Sequence, residues 1–533
     1  MRTPRTAPRL ALSVVAAIAC LLVVLTATGL LTGHPAGAGD NGDGARLYCG
    51  AGIVPATPDG RSNWQGGVVL RFTRTPSCPD PIPSAALPIL RAAVSNAAGD
   101  WSLTRLGWLY AVLAAAVAGA AAWAACAGGL RRAVILAAPV APLANRDFAR
   151  FFLSTFSEPA GLLGGYALVC GIGVIAVTAR THRIARIIGF ALVAGGGLLA
   201  VTAKTAYAPL LGIAALVCAV TAVSVRRHAP RWYDRIAGPV LAVVVLLVAV
   251  SPVTAAVHWQ ARHYPAVNAY NLTFTTVLTE VPGSAASLGL PPAAAGHAGE
   301  AYFPNGPDGV PGADVITARP ATAQQAAWRV LAGHPVALLR AIGVGIQATR
   351  GRDIDYLPTT PWTPRTIAPH VPPVGEQGAS AAVLRGWLDS MSGPWWPALL
   401  ASLGLLAGLV GALRRGRLWS AFARLAGLAA LCAVALTTAA VIGDGYFEIA
   451  KHVWLAAYLL DVTAIALAGS TVLFVSRWFK GFPARLRKTR RYPLLSAFYV
   501  VCRRRHRLAV RPCQTLSEGY RTPAQTSAMC LWH

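Results

Sequence analysis

The sequence predicts an all-α polytopic membrane protein with about ten transmembrane helices and two long extracytoplasmic loops. Three observations support this fold class. Of the 533 residues, 55% are hydrophobic and only 13% are charged, and the mean hydropathy is +0.52. Soluble proteins carry about twice that charged fraction. The apolar residues also gather in runs of about 20, the length of helix that crosses a bilayer.

Ten apolar runs are candidate spans. They are 10–32, 105–129, 133–144, 160–178, 184–203, 207–225, 236–257, 395–413, 418–442 and 453–475. The third run is too short to cross a bilayer alone as a helix. It is expected to be tilted, re-entrant or partly buried among its neighbours.

The N-terminus has the charge layout of a signal peptide, with MRTPRTAPRL preceding a long apolar run. That run is longer than an ordinary signal-peptide core, so an uncleaved first transmembrane helix is the prediction. Cleavage after the small residues of TGHPAGAGD is the alternative.

The formal net charge is +27, from 47 Lys and Arg against 20 Asp and Glu. Such a surplus is also typical of nucleic-acid binding. Here the basic residues fall in short clusters between apolar runs, which predicts cytoplasmic loops and anionic lipid as partners and no nucleic acid.

The positions of the basic clusters predict the orientation. With the N-terminus in the cytoplasm, each cytoplasmic loop contains a cluster: Arg131-Arg132, Arg180 to Arg186, Arg226 to Arg235, Arg414 to Arg417, and the tail from Arg477. Most carboxylates fall in the intervening loops, so the positive-inside rule places both termini in the cytoplasm. Removing the short third span would break this alternation, which favours keeping it.

The predicted organisation has six parts. They are the N-terminal segment with the first helix (1–32), a first extracytoplasmic loop (33–104), helices two to seven (105–257), a long extracytoplasmic loop (258–394), helices eight to ten (395–475) and a basic cytoplasmic tail (476–533). In the long loop, the stretch ATAQQAAWRVLAGHPVALLRAIGVGIQATR has helical periodicity and is expected to lie on the membrane or pack on the bundle. The tail is expected to contact anionic membrane lipids.

Ten cysteines show no CxxC pair and no spacing typical of metal ligands. Cys49 and Cys78 fall in the same predicted extracytoplasmic loop, where a disulfide between them is possible in an oxidising compartment. Most of the others lie in apolar runs and are interpreted as small buried hydrophobic residues.

Acids and bases gather at four places on the predicted outer face, and the first is GDNGDGARLYCG, residues 39–50. It holds Asp40 and Asp43, followed by Arg46. A calcium loop is excluded because Gly42 and Ala51 stand where that pattern needs ligands. The structural alternative is a solvated turn built on Asn-Gly.

The second place is ANRDFARFFLSTFSEPAG, residues 144–161, with Asp147, Arg150 and Glu158. Ser157 and Pro159 are typical of a helix start, which explains Glu158 in part and leaves Asp147 and Arg150 unexplained. The third is Lys204, at the outer end of a predicted span. Its structural alternative is a lysine that snorkels to the interface.

The fourth place is GDGYFEIAKHVWLAAYLLD, residues 443–461. Glu448 is three residues before Lys451 and four before His452, so local helical ion pairs are the structural alternative. Asp461 lies roughly 13 Å deeper at 1.5 Å per residue. An ionisable group at that depth is costly and is therefore a functional candidate.

These segments carry a family resemblance. The stretches DNGDGARLYCGAGI, NRDFARFFLSTFSEPAG, AKTAYAPL, YNLTFTTVLTEVPGSAASLGLPP (270–292) and GDGYFEIAKHVWLAAYLLD follow one another over about residues 35 to 465. In that order they resemble membrane glycosyltransferases of the GT-C superfamily, and more narrowly the WsfD-type hexosyltransferases of bacterial cell-surface glycan assembly. Gly44 departs from the aromatic residue expected there in the relatives.

The resemblance implies an enzyme of the bacterial plasma membrane that transfers a hexose, with inversion, from a polyprenyl-phosphate donor to an extracytoplasmic cell-envelope glycan or lipid. It implies a catalytic acid in the first outer loop, which corresponds to Asp40 or Asp43. We expect Asp43 or Asp40 to be the base, and Asp147 and Glu158 to orient the acceptor or hold a metal. The expected substrate-binding residues are Arg46, Arg150, Lys204, Glu448, Lys451 and His452, with Arg150, Lys204 and His452 as the phosphate partners. A metal site stays open; oxygen ligands would suit Mg²⁺ or Mn²⁺.

Two other functions compete with this one. A transporter or flippase for a lipid-linked glycan would share the charged outer face, but it would place more ionisable residues and matching helix breaks at mid-membrane depth. A non-catalytic envelope-assembly protein would tolerate Asn at Asp40 and Asp43. P-loop and GxSxG patterns are absent from the outer loops, which argues against an ATPase or a serine hydrolase.

Overall fold

The structure is a computed structural model. It describes residues 6–61, 66–95, 99–222, 231–303, 306–350, 354, 357–364, 395–414 and 416–488. Met1–Val472 form one compact unit, and the described part of the second unit, which begins at Leu473, continues the last helix. Most of the basic tail predicted to contact anionic lipid (489–533) lies outside the described residues.

The first half of the chain contains the helices α1 (Thr6–Ala27), α2 (Ala45–Tyr48), α3 (Ala86–Val94), α4 (Leu103–Ala125), α5 (Ala137–Val140), α6 (Arg146–Ala149), α7 (Glu158–Val177), α8 (Arg183–Ala203) and α9 (Ala208–Val220). The second half contains α10 (Arg231–His263), α11 (Pro265–Asn271), α12 (Leu278–Glu280), α13 (Ala313–Ala318), α14 (Pro320–Gly333), α15 (Pro335–Ala348), α16 (Trp396–Leu413), α17 (Leu418–Asp444) and α18 (Ile449–Lys488). A π-helical turn, Leu272–Val277, joins α11 to α12.

The predicted fold class, an all-α polytopic membrane protein, is confirmed. Eight helices in the described part of the chain are long and apolar enough to cross a membrane: α1, α4, α7, α8, α10, α16, α17 and α18. Helices α14 and α15 would make a ninth span if counted together, although they meet at 105°. The predicted count of about ten also included the runs at 133–144 and 207–225.

The run at 133–144 does not form a single helix, as its short length suggested. The chain passes through the 3₁₀ segment Leu130–Leu136, then α5, then the 3₁₀ segment Ala141–Ala144. Pro139 and Pro142 interrupt the helical hydrogen bonding because proline has no N–H to donate. Six of residues 133–144 are buried, both prolines among them, and irregular backbone at membrane depth is tolerated where protein covers it.

The chain between Arg132 and Ser157, which contains the broken stretch, nevertheless crosses the bundle. Arg132, at its beginning, donates a hydrogen bond to the carbonyl of Val177, at the end of α7. Ser157, which follows the stretch, immediately precedes the first residue of α7. Since α7 has 20 residues, its ends are about 30 Å apart. The alternation that the charge pattern requires is therefore kept without a regular helix.

The run at 207–225 is shorter in the structure than predicted. It comprises the 3₁₀ turn Thr205–Tyr207 and α9, which ends at Val220. Residues 223–230, with part of the predicted basic cluster, lie outside the described residues.

Helix α7 is the centre of the bundle, because 18 of its 20 residues are buried. It packs closely on α8 because glycines face each other. A Cβ on Gly164 would lie 2.7 Å from the carbonyl oxygen of Gly196, and a Cβ on Gly196 would lie 2.6 Å from that of Gly164. Small residues that let helix backbones approach are typical of membrane helix packing.

The first predicted extracytoplasmic loop contains a small antiparallel sheet that the sequence did not predict. Its strands are β1 (Ile53–Pro55), β2 (Arg71–Arg74) and β3 (Trp101–Ser102), in the order β1-β2-β3. Ile53 pairs with Arg74, and Phe72 pairs with Trp101. A disulfide joins Cys49 to Cys78, so the pairing left open by the sequence is present. The cysteines of the apolar runs are buried and free, as expected.

The helical stretch predicted at 321–350 forms α14 and α15, which are separated at His334 by the proline that begins α15. Both helices pack on the bundle. Trp328 of α14 donates its indole N–H to the carbonyl of Ile442, 2.8 Å away. A Cβ on Gly345 of α15 would lie 2.7 Å from the side chain of Thr437.

The two ends of α7 define two ends of the bundle. We call the end where α7 begins the site end and the end where it finishes the arginine end. At the arginine end, Arg424 donates to the carbonyl of Ala176 (2.8 Å), and Arg186 donates to that of Thr178 (3.2 Å). Arg132, Arg186 and Arg417, which come from three of the predicted cytoplasmic clusters, thus lie at one end, and the acids of the four segments lie elsewhere.

Candidate functional site

Four chain segments meet at the site end: the turn after α1, the start of α7, the end of α8 and the start of α18. They bring together Asp43, Glu158, Lys204, Glu448 and Lys451, which are up to 408 residues apart in the sequence. Three ion pairs lie within this group: Lys451 pairs with Asp43 and with Glu448, and Lys204 pairs with Glu158. The segments singled out in the sequence therefore share one region of the fold.

Asp40 and Asp43 have different surroundings. The Oδ1 atom of Asp40 accepts the backbone N–H groups of Gly42 and Gly44, each at 2.8 Å, and the residue is buried. These bonds close the turn that leads into α2, as an Asx turn does. Asp43, which follows the turn, is directed toward charged partners.

Gly44 is required by this turn. A Cβ at this position would lie 2.3 Å from Oγ1 of Thr155 and 2.6 Å from Oδ2 of Asp40. A larger side chain at this position would displace the segment that contains Thr155. The departure from the aromatic residue expected in the relatives therefore has a steric cause in this chain.

Asp43 lies between two cations. Its Oδ1 is 2.8 Å from Nη2 of Arg46, and its Oδ2 is 2.5 Å from Nζ of Lys451. Burial acts to raise the pKa of Asp43, but the charges of Lys451 and Arg46 outweigh it and hold the pKa well below the ordinary value. The carboxylate is thus ionised, and about a third of its side chain (32%) is exposed.

Lys451 is held on its other side by Asn41 and Glu448. Its Nζ donates to Oδ1 of Asn41 (3.1 Å) and pairs with Oε2 of Glu448 (3.3 Å), and its side chain is fully buried. Asn41 in turn donates its amide to Oε1 of Glu448 (3.0 Å). A buried ammonium with this many oxygen partners fixes the relative positions of the first loop and α18.

Glu448 has a strained backbone. Its φ is 45°, and among the described residues it is the only non-glycine with a positive φ. Such a conformation costs about 1–3 kcal/mol, and it clusters at functional sites. This backbone conformation directs the Glu448 carboxylate toward Asn41 and Lys451 at the point where α18 begins.

Glu158 and Lys204 form the second part of the site. Oε1 of Glu158 accepts from Nζ of Lys204 at 2.8 Å, and the Glu158 side chain is only 3% exposed. Ser157 occupies the N-cap position of α7 but makes no capping hydrogen bond; its hydroxyl donates to Glu158 at 3.2 Å. The helix start predicted here is therefore confirmed, but the hydroxyl of Ser157 supports the acid and caps no backbone N–H.

A pocket of about 620 Å³ joins the two parts. Its lining includes Asp43, Arg46, Phe156, Glu158, Lys204, Trp259, Gln260 and Tyr264. The guanidinium of Arg46 lies 4.0 Å from the ring centre of Tyr264, a cation–π contact. One wall is the end of α10, the helix with the smallest buried share (17%) among the candidate spans. The pocket therefore joins a charged centre to a helix that faces the bilayer.

The model of the YfdI N-terminal transmembrane domain family matches residues 2–316. The chain belongs to this family. The matched part contains Asp43, Glu158 and Lys204 and ends before Glu448 and Lys451. A search of curated proteins and a search of solved structures gave no match. Membership in the YfdI family fits a multi-pass, glycosyltransferase-like membrane protein of envelope biosynthesis.

Asp147 and Arg150 are among the predicted site residues of this YfdI-family chain that do not line the pocket. Asp147 is buried, and its backbone N–H is capped by Oδ1 of Asn145 at 3.0 Å. Arg150 is buried and donates to the carbonyl of Leu357 at 3.3 Å. The Asp147 contact is local, whereas the Arg150 contact joins this segment to a residue 207 positions farther along the chain.

His452 belongs to a neighbouring cluster. Its Nε2 is 3.1 Å from Oδ2 of Asp444, and the amide of Asn271 donates to Oδ1 of Asp444 at 3.1 Å. The cluster therefore joins the ends of α11 and α17 to the start of α18. Asp461 lies farther along α18 and is buried.

Several residues of the site, in the pocket and beside it, were not singled out in the sequence of the YfdI-family chain. Asn41 lies inside the quoted first motif, and its amide could have been recognised as a partner for the nearby acids. Trp259, Gln260 and Tyr264 gave no such signal, because they lie at the end of an apolar run far from any motif.

The residues of the site do not fit a resident Mg²⁺ or Mn²⁺. In the described part of the chain, no three His, Cys, Asp or Glu side chains gather as a metal-binding group. Both oxygens of Asp43 are bound to cations of the chain itself, and Oε1 of Glu158 is bound to Lys204.

Proposed function

We propose that this protein is a GT-C-type hexosyltransferase that transfers a sugar, with inversion, from a polyprenyl-phosphate donor to an extracytoplasmic cell-envelope glycan or lipid. The observation that carries the proposal is the pocket, in which two carboxylates, Asp43 and Glu158, lie beside two cations, Arg46 and Lys204, at the membrane-facing wall of α10. Family membership fits an envelope-biosynthesis protein of this kind.

The cations suit the phosphate of the donor. Arg46 and Lys204 both line the pocket, and their other partners are the pocket acids themselves. The pocket lies where helices end, which is the depth of lipid headgroups. A lipid phosphate placed here would meet two charge-assisted donors, while its apolar chain follows the exposed side of α10.

Asp43 suits the base. In the proposed reaction, the acceptor hydroxyl oxygen bonds to the anomeric carbon, the bond from that carbon to the phosphate oxygen breaks, and its electron pair leaves with the lipid phosphate. The hydroxyl proton passes to Asp43. In the resting site the pKa of Asp43 is low because two cations contact it. When the donor phosphate draws Arg46 away, that pKa rises and Asp43 becomes a better proton acceptor.

Lys451, Asn41 and Glu448 position the base and do not line the pocket. Because the Lys451 side chain is fully buried, it holds Asp43 from the protein side and leaves the exposed side of the carboxylate to the acceptor. Glu158 orients Lys204 in the same way from the start of α7.

The orientation with the site end outside the cytoplasm is part of the proposal. The arginine end carries the charge expected of a cytoplasmic face. The disulfide between Cys49 and Cys78 belongs to the site end, and disulfides persist in oxidising compartments. Both termini would then be cytoplasmic, in a bacterial plasma membrane.

Transfer from a series of polyprenyl-phosphate hexoses in membranes tests the donor role of the cations. We expect Arg46→Gln and Lys204→Gln each to raise the KM for the donor or lower kcat/KM by about 10–100-fold, the range for a lost charged hydrogen bond. Arg262→Gln is the matched control, because this exposed arginine pairs with Asp80 and does not line the pocket. Wild-type protein that transfers from no donor, or pocket variants that equal the control, would refute the proposal.

A transporter of lipid-linked glycans is the second candidate, favoured by one observation. Asp461 is buried at membrane depth, as ionisable residues on transport pathways are. This function predicts movement of a lipid-linked glycan between leaflets by wild type, and loss of that movement in Asp461→Asn, without any sugar transfer.

A further inference from the structure

The arginine end contains a second, larger cavity. It has a volume of about 2240 Å³ and lies among the end of α7, α9, α16 and α17. Five arginines line it: Arg132, Arg180, Arg186, Arg417 and Arg424. Among its described lining residues there is no Asp or Glu. The described wall of the cavity therefore carries positive charge and contains no carboxylate that would neutralise it.

The remainder of the wall is mostly apolar, and it opens toward the membrane-facing surface. Leu216 and Val220 of α9 are 51% and 74% exposed, and Leu409 of α16 is 66% exposed. In a membrane span, exposed leucine and valine face lipid. The mouth of the cavity is therefore bordered by lipid-facing side chains on two helices.

Backbone carbonyls hold two of these arginines in the wall of the cavity. Arg186 is only 5% exposed, and its guanidinium donates to the carbonyls of Thr178 (3.2 Å) and Ala222 (2.9 Å). Its Nε has no hydrogen-bond partner among the described residues. Arg132 donates to the carbonyl of Val177. Carbonyls fix the positions of these guanidinium groups but do not neutralise them, so a buried positive charge remains.

We propose that this cavity binds an anionic phospholipid of the adjacent leaflet, with the headgroup phosphate at the arginines and the acyl chains along the apolar walls. Basic pockets between membrane helices are suited to such headgroups. Leu428 and Leu431 of α17 line the cavity one and two turns farther into the membrane than Arg424. This order, charge at the helix ends and hydrocarbon below, matches a phospholipid from headgroup to chain.

The site is separate from the pocket proposed for sugar transfer, because the two lie at opposite ends of α7. It is also independent of the basic tail, none of whose residues lines the cavity among those described. A lipid here would connect α9 and α16 across the gap between them, and its binding can be measured without any assay of transfer.

The test uses the full chain in nanodiscs that contain a photoactivatable phosphatidylglycerol, with the crosslink located by mass spectrometry. We expect crosslinks in the peptides of α9, α16 and α17, removed by excess unlabelled phosphatidylglycerol but not by phosphatidylcholine. We expect Arg132→Gln and Arg417→Gln each to weaken competition by phosphatidylglycerol roughly fivefold, the effect of one arginine near a lipid surface.

Arg131→Gln is the matched control, because Arg131 is the exposed neighbour of Arg132 and does not line the cavity. Size-exclusion profiles show which variants fold, and Arg180→Gln, at another exposed position, replaces any that does not. Three results would overturn the proposal: equal competition by phosphatidylcholine, which indicates a merely apolar groove; competition by inorganic phosphate, which indicates a soluble anion site; and equal effects of Arg131→Gln and Arg132→Gln.

Discussion

Asp43 and Asp40 show how much a single carboxylate depends on its contacts. The sequence placed both in one motif, six and three residues before Arg46, and this small difference in spacing could not show which of them is the base. The structure shows Asp40 closing a backbone turn and Asp43 between Arg46 and Lys451. Lys451 comes from the far end of the chain, so no local pattern could reveal this difference.

The low pKa of Asp43 makes part of the stability depend on pH. Since the pKa is lower in the folded protein than its ordinary value near 4, the unfolded chain binds the proton more readily. The contribution is therefore present at neutral pH and is lost as the pH falls below about 4. Thermal unfolding in detergent from pH 7 to pH 3 should show a larger fall for wild type than for Asp43→Asn. Equal falls would contradict the pairing.

Gly44→Ala should destabilise the protein by about 1–3 kcal/mol, the usual cost of overpacking. The added methyl would lie 2.3 Å from Oγ1 of Thr155. Thermal unfolding measures the effect, and adding Thr155→Ala should recover part of it because that oxygen is removed. If the double variant is no more stable than Gly44→Ala, the clash is not the cause.

The elements were predicted most accurately where apolar runs are long. The sequence located the eight long helices because a run of about 20 apolar residues has little alternative to a spanning helix. It did not predict the sheet of the first loop, since β1, β2 and β3 have only two to four residues each. The broken stretch at 133–144 was recognised as unusual, and its prolines explain why it is not a helix.

The packing of α7 on α8 gives a prediction with a control in the same helix. A Cβ on Gly196 would lie 2.6 Å from the carbonyl of Gly164, whereas a Cβ on Gly195 has nothing within 4 Å. We expect Gly196→Ala to lower the melting temperature, at a cost of about 1–3 kcal/mol. Gly195→Ala should leave the melting temperature unchanged or raise it slightly, since alanine favours a helix. The opposite order would contradict this helix contact.

At the scale of the whole molecule, charge distinguishes the two ends of the bundle. The sequence predicted this from the positive-inside rule, and the structure collects the described arginine clusters at the end opposite the pocket. The sequence did not predict that the end of α10 forms a wall of the pocket, because a tertiary contact between distant helices leaves no local pattern. The same limit applies to Tyr264, which reaches Arg46 from more than 200 residues away.

The orientation predicts which cysteines an impermeant thiol reagent can reach. Asp100→Cys, in the first loop, should react in intact cells, because Asp100 is exposed at the site end. Arg131→Cys, exposed near the arginine end, should react only after lysis. Cys502, Cys513 and Cys530 are first replaced by serine to remove the background. The reverse pattern would invert the proposed topology.

Sugar transfer by Asp43→Asn tests the central claim most directly. The variant keeps the size of the side chain and removes the charge that accepts the proton. We expect a loss of about 10²–10⁴-fold in kcat, the usual contribution of a general base, with the KM for the donor changed far less. Asp100→Asn, the exposed acid paired with Arg71, should retain full activity. Full activity in a folded Asp43→Asn protein would contradict the assignment of Asp43 as the base.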